Sequence, residues 1–178
     1  MSHLLVGCAA GFSGDRTDAA RPVVDTLLAR GGAAFLIFET LAERTLALAQ
    51  QARRANPDAG YEPLLDELLR PVLAGCLAHR IRIVGNFGAA HPRAAAQRIV
   101  TLGSELGARR PRVAVVEGDD VSGPEHRALL NEALAEFGQA AHGIEIASAN
   151  AYLGAEGIAA ALIDGADIVV TGRVADPS

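Results

Sequence analysis

Glu117, Asp119 and Asp120 stand around a single glycine, Gly118, at the end of the apolar run Val113-Ala114-Val115-Val116. Crowded carboxylates suit two kinds of chemistry. Their oxygens are the ligands that a hard divalent cation such as magnesium prefers. Mutual repulsion also pushes one carboxyl pKa upward, towards the range of a general acid or base. A solvated acidic turn leading to the next helix near Gly123 has the same composition, so ligand, proton carrier and turn all remain open. Asp15 and Arg16 follow the first apolar run, and Arg173 follows the last. Arg16 and Arg173 are candidates for gripping a carboxylate or phosphate through paired hydrogen bonds. The competing role for each is a salt bridge, to Asp15 or to Asp176.

Other chemistry is less well matched. Gly7-Cys8-Ala9-Ala10-Gly11-Phe12-Ser13-Gly14 nearly forms a dinucleotide-binding loop. In that reading Gly11 and Gly14 approach a pyrophosphate, and Glu39 ends the second apolar run where a ribose acceptor would sit. The glycine spacing fits neither common pattern, and Asp15 adds negative charge, so a plain strand-to-helix turn competes with it. Ser13 lacks the flanking of a nucleophile elbow. His91 is the only histidine beside the same set of loops. All sixteen Lys and Arg residues are arginine. A Schiff-base lysine, a phosphate-loop lysine and the lysine of short-chain dehydrogenases are therefore excluded.

The elements that must position these groups alternate from end to end. Strands are expected at His3–Ala10, Ala33–Phe38, Ile81–Phe87 and Arg112–Val116, less clearly at Gly143–Ser148, and at Asp167–Thr171. Between them lie helices ending near Arg30, over Leu41–Asn56, over Tyr61–His79 with a kink at Pro71, from Pro92 to Leu106, over Glu125–Phe137 and over Gly154–Ile163. Thr17 or Asp18 is placed to cap the first helix. The alternation predicts an open, mostly parallel sheet of about six strands with helices on both faces, a Rossmann-like α/β sandwich. The strand before Glu117, apolar on both faces, is expected in the middle of the sheet. Parallel strands present all their carboxyl ends along one edge, where ligands sit in such folds. Asp15, Arg16, Glu39, Asn86, Glu117, Asp119, Asp120, Asn150, Tyr152 and Arg173 all fall there. The opposite edge carries helix terminators such as Gly31-Gly32, Gly107 and Gly165.

A chain of 178 residues, half of them apolar, is long enough for one domain, spanning 1–178, with a real core. The net charge of -5 gives no basic field for nucleic acid or for an anionic membrane surface. Cys8 and Cys76 have no close partner and read as small buried hydrophobes of a reducing compartment. No run approaches the length of a membrane span, and a cytoplasmic location is expected.

Four segments together resemble the acyclic terpene utilization (AtuA-like) family. They are Gly11-Phe12-Ser13-Gly14-Asp15-Arg16, Val115-Val116-Glu117-Gly118-Asp119-Asp120, Ser148-Ala149-Asn150-Ala151-Tyr152-Leu153-Gly154-Ala155 and Ala166-Asp167-Ile168-Val169-Val170-Thr171-Gly172-Arg173. Leu41-Ala42-Glu43 and Ala59-Gly60-Tyr61 fit the same pattern. Phe38-Glu39-Thr40 departs from it, because an aspartate-containing turn is expected there. The resemblance implies breakdown of branched acyclic terpenoids through acyl-CoA intermediates. It carries over Asp15, Arg16, Asn86, Glu117, Asp119, Asp120, Asn150, Tyr152 and Arg173 as site residues. Family members are typically more than twice as long, which makes this chain an expected N-terminal portion of a longer or two-chain protein.

Two functions follow as expectations. One is an enzyme domain acting on a small acyl or acyl-CoA-type substrate. Asp15, Glu117, Asp119 and Asp120 would then be catalytic, with a magnesium-type cation as an option, and the chemistry of lyase or hydratase type. The other is a binding or assembly subunit, a homo-oligomer or one completed by a second chain.

Overall fold

The computed structural model describes residues 3–136 and 146–176. Five strands, β1 (Leu4–Ala10), β2 (Ala33–Phe38), β3 (Arg82–Gly85), β4 (Val113–Val116) and β5 (Ile168–Thr171), pair in parallel in the order β1-β2-β3-β5-β4. The helices are α1 (Ala20–Arg30), α2 (Glu43–Ala55), α3 (Leu65–Leu69), α4 (Leu73–His79), α5 (Pro92–Glu105), α6 (Arg127–Glu136) and α7 (Glu156–Ile163). This is the open α/β architecture that the alternating pattern demands. The additional strand expected over Gly143–Ser148 begins outside the described residues. Its described part is not a strand, and Asn150 instead makes an isolated antiparallel bridge with Asp120.

Connection handedness explains where the helices sit. From β1 to β4 the chain advances across the sheet in one direction, and from β4 to β5 it turns back. Right-handed crossovers then put the helices of the two stretches on opposite faces. One face packs Leu36, Phe38, Ile83, Ile168 and Val170 against Val24, Leu27, Leu73, Ile99 and Leu102. Burying each such side chain is worth about 1.5–3 kcal/mol. The other face packs Val84, Ala166 and Val169 against Ile158, Ala161 and Leu162 of the α7 side.

Three local expectations are corrected. β4 is an edge strand, not a central one. Its two faces are apolar because α5 and α7 both pack on it, and sequence pattern reports covered faces rather than strand neighbours. Neither Thr17 nor Asp18 caps α1: the helix starts at Ala20 without a side-chain cap, and Asp18 pairs with Arg16 instead. Pro71 does not merely kink a helix running to His79. It separates α3 from α4, because it lacks the N–H the ladder needs.

Among the described residues one face of β1 is left uncovered, while the same face of β2 is half-buried, with Ile37 packed against Val84 and Val169. Leu4 and Val6 are 65% and 64% exposed, and Cys8, next along the same face of the strand, is exposed as well. Cys76 is wholly buried in α4, and burial pushes its thiol up to about 12. A thiol reagent at pH 8 is therefore expected to modify Cys8 in the folded chain and Cys76 only on unfolding, as counted by mass spectrometry before and after denaturant. No helix among the described residues is long and apolar enough to cross a membrane.

Candidate functional site

α2 lies over the carboxyl edge of the sheet. Its start is fixed locally, since the Ala42 N–H donates to Thr45 Oγ1 at 2.8 Å and that hydroxyl donates back to the Ala42 carbonyl at 2.9 Å. Leu46 packs with Leu41, Ala89 and Ala90 of the loops after β2 and β3. Further along, Gln50 Nε2 donates to Asp120 Oδ2 at 2.8 Å and Arg53 Nη1 to the Ala90 carbonyl at 2.5 Å. Arg54 Nη2 donates to the Ile146 carbonyl at 2.8 Å. One helix thus ties together the loops that leave β3 and β4 and the segment before α7.

At 100° per residue, Thr45, Leu48, Ala49, Ala52 and Asn56 form one stripe of α2. Glu43, Leu46, Gln50 and Arg53 form another, roughly 120° away. The first stripe lines a groove of about 570 Å³, closed by Asp58, Ala59, Gly60, Tyr61 and Pro63 and by Ser13 from the loop after β1. Glu62, only 3% exposed, stands behind this wall. Ser13 Oγ donates to its Oε2 at 2.7 Å and the Leu64 N–H to its Oε1 at 3.0 Å. The second stripe faces a cavity of about 200 Å³ lined by Glu43, Leu46, Ser148, Asn150, Tyr152 and Arg173.

The three carboxylates around Gly118 part company. Glu117 pairs with Arg93. Asp119, 3% exposed, accepts from the Arg173 N–H at 2.7 Å and from Asn150 Nδ2 at 2.9 Å, both on Oδ2. Asp120 accepts from Gln50 and from the Ser122 hydroxyl at 2.6 Å. Burial acts to raise the Asp120 pKa, but the hydroxyl and N–H of Ser122, then Gln50 and Arg53, hold it below the ordinary carboxylate value. Among the described residues no group of three His, Cys, Asp or Glu side chains is arranged to hold a metal ion. Gly118, at φ 114°, turns the chain between Glu117, Asp119 and Asp120, and the three side chains bond to different elements.

The loop after β1 is likewise self-contained. Asp15 accepts from the Gly11 N–H at 3.0 Å and the Arg16 N–H at 2.7 Å, and these bonds lower its pKa. It thus occupies an amide that a pyrophosphate over Gly11 and Gly14 would need. Arg16 forms an exposed pair with Asp18. Asn86 staples the ends of β2 and β3, accepting from the Thr40 N–H at 2.7 Å and donating to Glu39 Oε1 at 2.8 Å. Glu39 Oε1 also accepts from the Leu41 N–H at 2.9 Å. His91 is held below its ordinary pKa by burial and by the Arg53 charge.

Asn150, Tyr152 and Arg173 do come together. The Tyr152 ring lies over the Arg173 guanidinium, 4.0 Å from its centroid, and the Tyr152 hydroxyl donates to Glu43 Oε1 at 2.6 Å. That bond lowers the Glu43 pKa and raises that of Tyr152. Glu43, beyond its place in the Leu41-Ala42-Glu43 segment, and Gln50, Arg53 and Glu62 were not singled out from sequence. For the first three, the signal was a polar stripe on α2 opposed to an apolar one. For Glu62 no sequence signal distinguishes it from a solvated glutamate beside a proline.

Comparison with known proteins supports one relationship. The family model described as "Acyclic terpene utilisation family protein AtuA" matches residues 4–178. No curated protein and no solved structure matches the chain. Essentially the whole sequence is covered by that one family model, with the same segments that build the carboxyl edge inside the match, and the chain belongs to the acyclic terpene utilisation (AtuA) family.

Proposed function

We propose that the chain binds an acyl or acyl-CoA-type metabolite at the carboxyl edge of the sheet and works on it as an enzyme domain. The observation that carries this reading is the groove along α2. Its volume of about 570 Å³ and its Leu48, Ala49, Ala52, Tyr61 and Pro63 walls suit an apolar chain, with Ser13 and Asp58 as sparse polar contacts. Family membership points to branched acyclic chains as the occupant. The Ser13–Glu62 pair is the proton-handling group beside that groove, with Glu62 taking a proton through the Ser13 hydroxyl. Abstraction next to an acyl carbonyl is the first step such a pair supports in lyase- or hydratase-type chemistry.

The chain has no tryptophan, so Leu48→Trp introduces a single reporter into the groove. Titration with a branched acyl-CoA is expected to blue-shift its emission saturably. Ala52→Asp in the same background should weaken binding about 10-fold or more, because it desolvates a charge in the groove. In D2O, wash-in of deuterium beside the carbonyl should fall about 100-fold in Glu62→Gln with the emission change retained. An unshifted emission at saturating ligand contradicts the binding reading, and unchanged wash-in contradicts the role of Glu62.

A second reading, a subunit completed by another chain, is favoured by the exposed Leu4 and Val6 face of β1. It predicts that Cys8 becomes protected from thiol reagents as protein concentration rises, in step with a mass increase by sedimentation.

A further inference from the structure

Proton abstraction in the groove along α2 calls for a second group besides the Ser13–Glu62 pair. When a proton leaves the carbon beside an acyl carbonyl, negative charge develops on the carbonyl oxygen. A fixed hydrogen-bond donor at that oxygen supplies a large share of the rate in such steps. No arginine or histidine lines the groove, so among its side chains the donor must be a neutral one. Four lining side chains carry an O–H or N–H: Ser13, Thr45, Asn56 and Tyr61. Two of them are committed. Ser13 Oγ donates to Glu62 Oε2 at 2.7 Å, and Thr45 Oγ1 donates to the Ala42 carbonyl at 2.9 Å. Asn56 and Tyr61 are left. Tyr61 is half-buried and packs against the main core. Its hydroxyl has no hydrogen-bond partner among the described residues and is not sealed from solvent. A phenol held at its ring and open at its tip is a preorganised donor.

Position along the groove separates the two. Thr45 and Asn56 are eleven residues apart, which is about 16 Å along a helix. After Asn56 the chain doubles back: the Ala59 N–H donates to the Asn56 carbonyl at 2.9 Å. Gly60 then lies against α2, where a Cβ would fall 3.2 Å from the Ala49 carbonyl oxygen and 2.7 Å from Cβ of Arg53. Tyr61 follows, lining the groove in front of the buried Glu62, and Ser13 bonds to that same glutamate. Asn56 and Asp58 therefore belong to the far end, and Tyr61 to the end with the proton acceptor. We propose that Tyr61 is a catalytic residue whose hydroxyl donates a hydrogen bond to the acyl carbonyl oxygen while the Ser13–Glu62 pair takes the neighbouring proton. The carbon-bound proton passes to Ser13 Oγ as the Ser13 hydroxyl proton passes to Glu62 Oε2. The C–H electron pair forms the new carbon–carbon double bond, and the carbonyl pair moves onto the oxygen that Tyr61 holds. The inference rests on the reading that the groove binds an acyl substrate and adds the electrophilic half of its reaction.

A branched acyl-CoA carrying 13C at its carbonyl reads the contact directly by NMR on the full chain. The bound carbonyl signal is expected downfield of the free ligand in the unaltered chain and in Glu62→Gln. In Tyr61→Phe it should return to the free value, with the saturable emission shift of the Leu48→Trp background retained. Deuterium wash-in should fall about 100–1,000-fold in Tyr61→Phe. The chain has two tyrosines, so 13Cζ labelling gives two ring signals, assigned with Tyr152→Phe. The Tyr61 signal should move on binding and the Tyr152 signal should not. That arm uses the unaltered chain and keeps the test decisive if Tyr61→Phe does not fold. A carbonyl displaced equally in Tyr61→Phe, unchanged wash-in in that variant, or an unmoved Tyr61 signal overturns the proposal. If Glu62→Gln still loses wash-in, the acyl-binding reading stands and only the role of Tyr61 fails. An unshifted emission together with an undisplaced carbonyl overturns both.

Discussion

Gly88→Ala is expected to destabilise the chain by about 3 kcal/mol, the upper end of what forced overpacking costs. A Cβ at this position would lie 2.5 Å from the Thr171 carbonyl oxygen and 2.8 Å from Cα of Pro92. Both are backbone atoms and neither can rotate away. The Gly88 N–H donates to that same Thr171 carbonyl at 3.0 Å, so the contact closes the loop after β3 onto the end of β5. Opening it would also disturb Ala89 and Ala90, on which Leu46 of α2 packs. Against a typical total stability of about 5–15 kcal/mol the loss is large. Gly75→Ala is the control. It lies inside α4 with open space where the methyl group would go, and is expected to gain about 0.5–1 kcal/mol from helix propensity. Urea unfolding of the two variants measures both. Equal midpoints would mean that the two loops are not packed as described.

Asp119→Ala is expected to cost about 3 kcal/mol, whereas Asp119→Asn should cost less than about 1 kcal/mol. Asp119 Oδ2 accepts from both Asn150 Nδ2 and the Arg173 N–H. Alanine leaves two donors without a partner in a site from which water is excluded, at about 1–3 kcal/mol each. Asparagine places its Oδ1 where Oδ2 was and can accept from both. Gly172 leaves the room for this carboxylate, since a Cβ there would meet it. The pair of variants therefore separates two roles. Stability rescued by asparagine identifies Asp119 as the tie between the loops after β4 and β5. A protonatable role shows itself instead as turnover that asparagine does not rescue, in a variant of normal stability. Equal destabilisation in both variants would contradict the acceptor geometry.

The order and type of the elements were legible because helical and extended periodicities differ and because glycines and prolines mark the boundaries. β1 and β2 end where their apolar runs end, and Pro92 opens α5 as a first-turn proline should. The edge on which the polar residues collect was also legible, since a parallel sheet has only one carboxyl edge. Strand order was not. A short apolar run shows that both faces are covered, and β4 satisfies that at the sheet edge between α5 and α7. The partners of Glu117, Asp119 and Asp120 were hidden for a different reason. Neighbours in sequence diverge in space where a glycine at positive φ turns the chain, so proximity along the sequence does not reveal which groups each carboxylate meets. For Arg173 the residue types left an anion grip and a salt bridge to Asp176 both open, because a guanidinium pairs equally well with a ligand or a side-chain carboxylate. Its guanidinium is engaged by Asp176, the second of these, and is stacked on Tyr152, which no sequence pattern signalled. Glu62 and the two stripes of α2 acquire meaning only when the helix is laid across the edge, a tertiary arrangement that no local pattern encodes.

Two apolar surfaces compete for an acyl chain, the groove along α2 and the exposed face of β1 beside Phe35 of β2. Amide chemical-shift mapping with a branched acyl-CoA separates them in one titration. Saturable shifts at Leu48, Ala49, Ala52, Gly60 and Tyr61, with Leu4, Val6 and Phe35 unmoved, are the expected result. Shifts confined to Leu4, Val6 and Phe35, with α2 unmoved, would contradict a ligand site at the carboxyl edge.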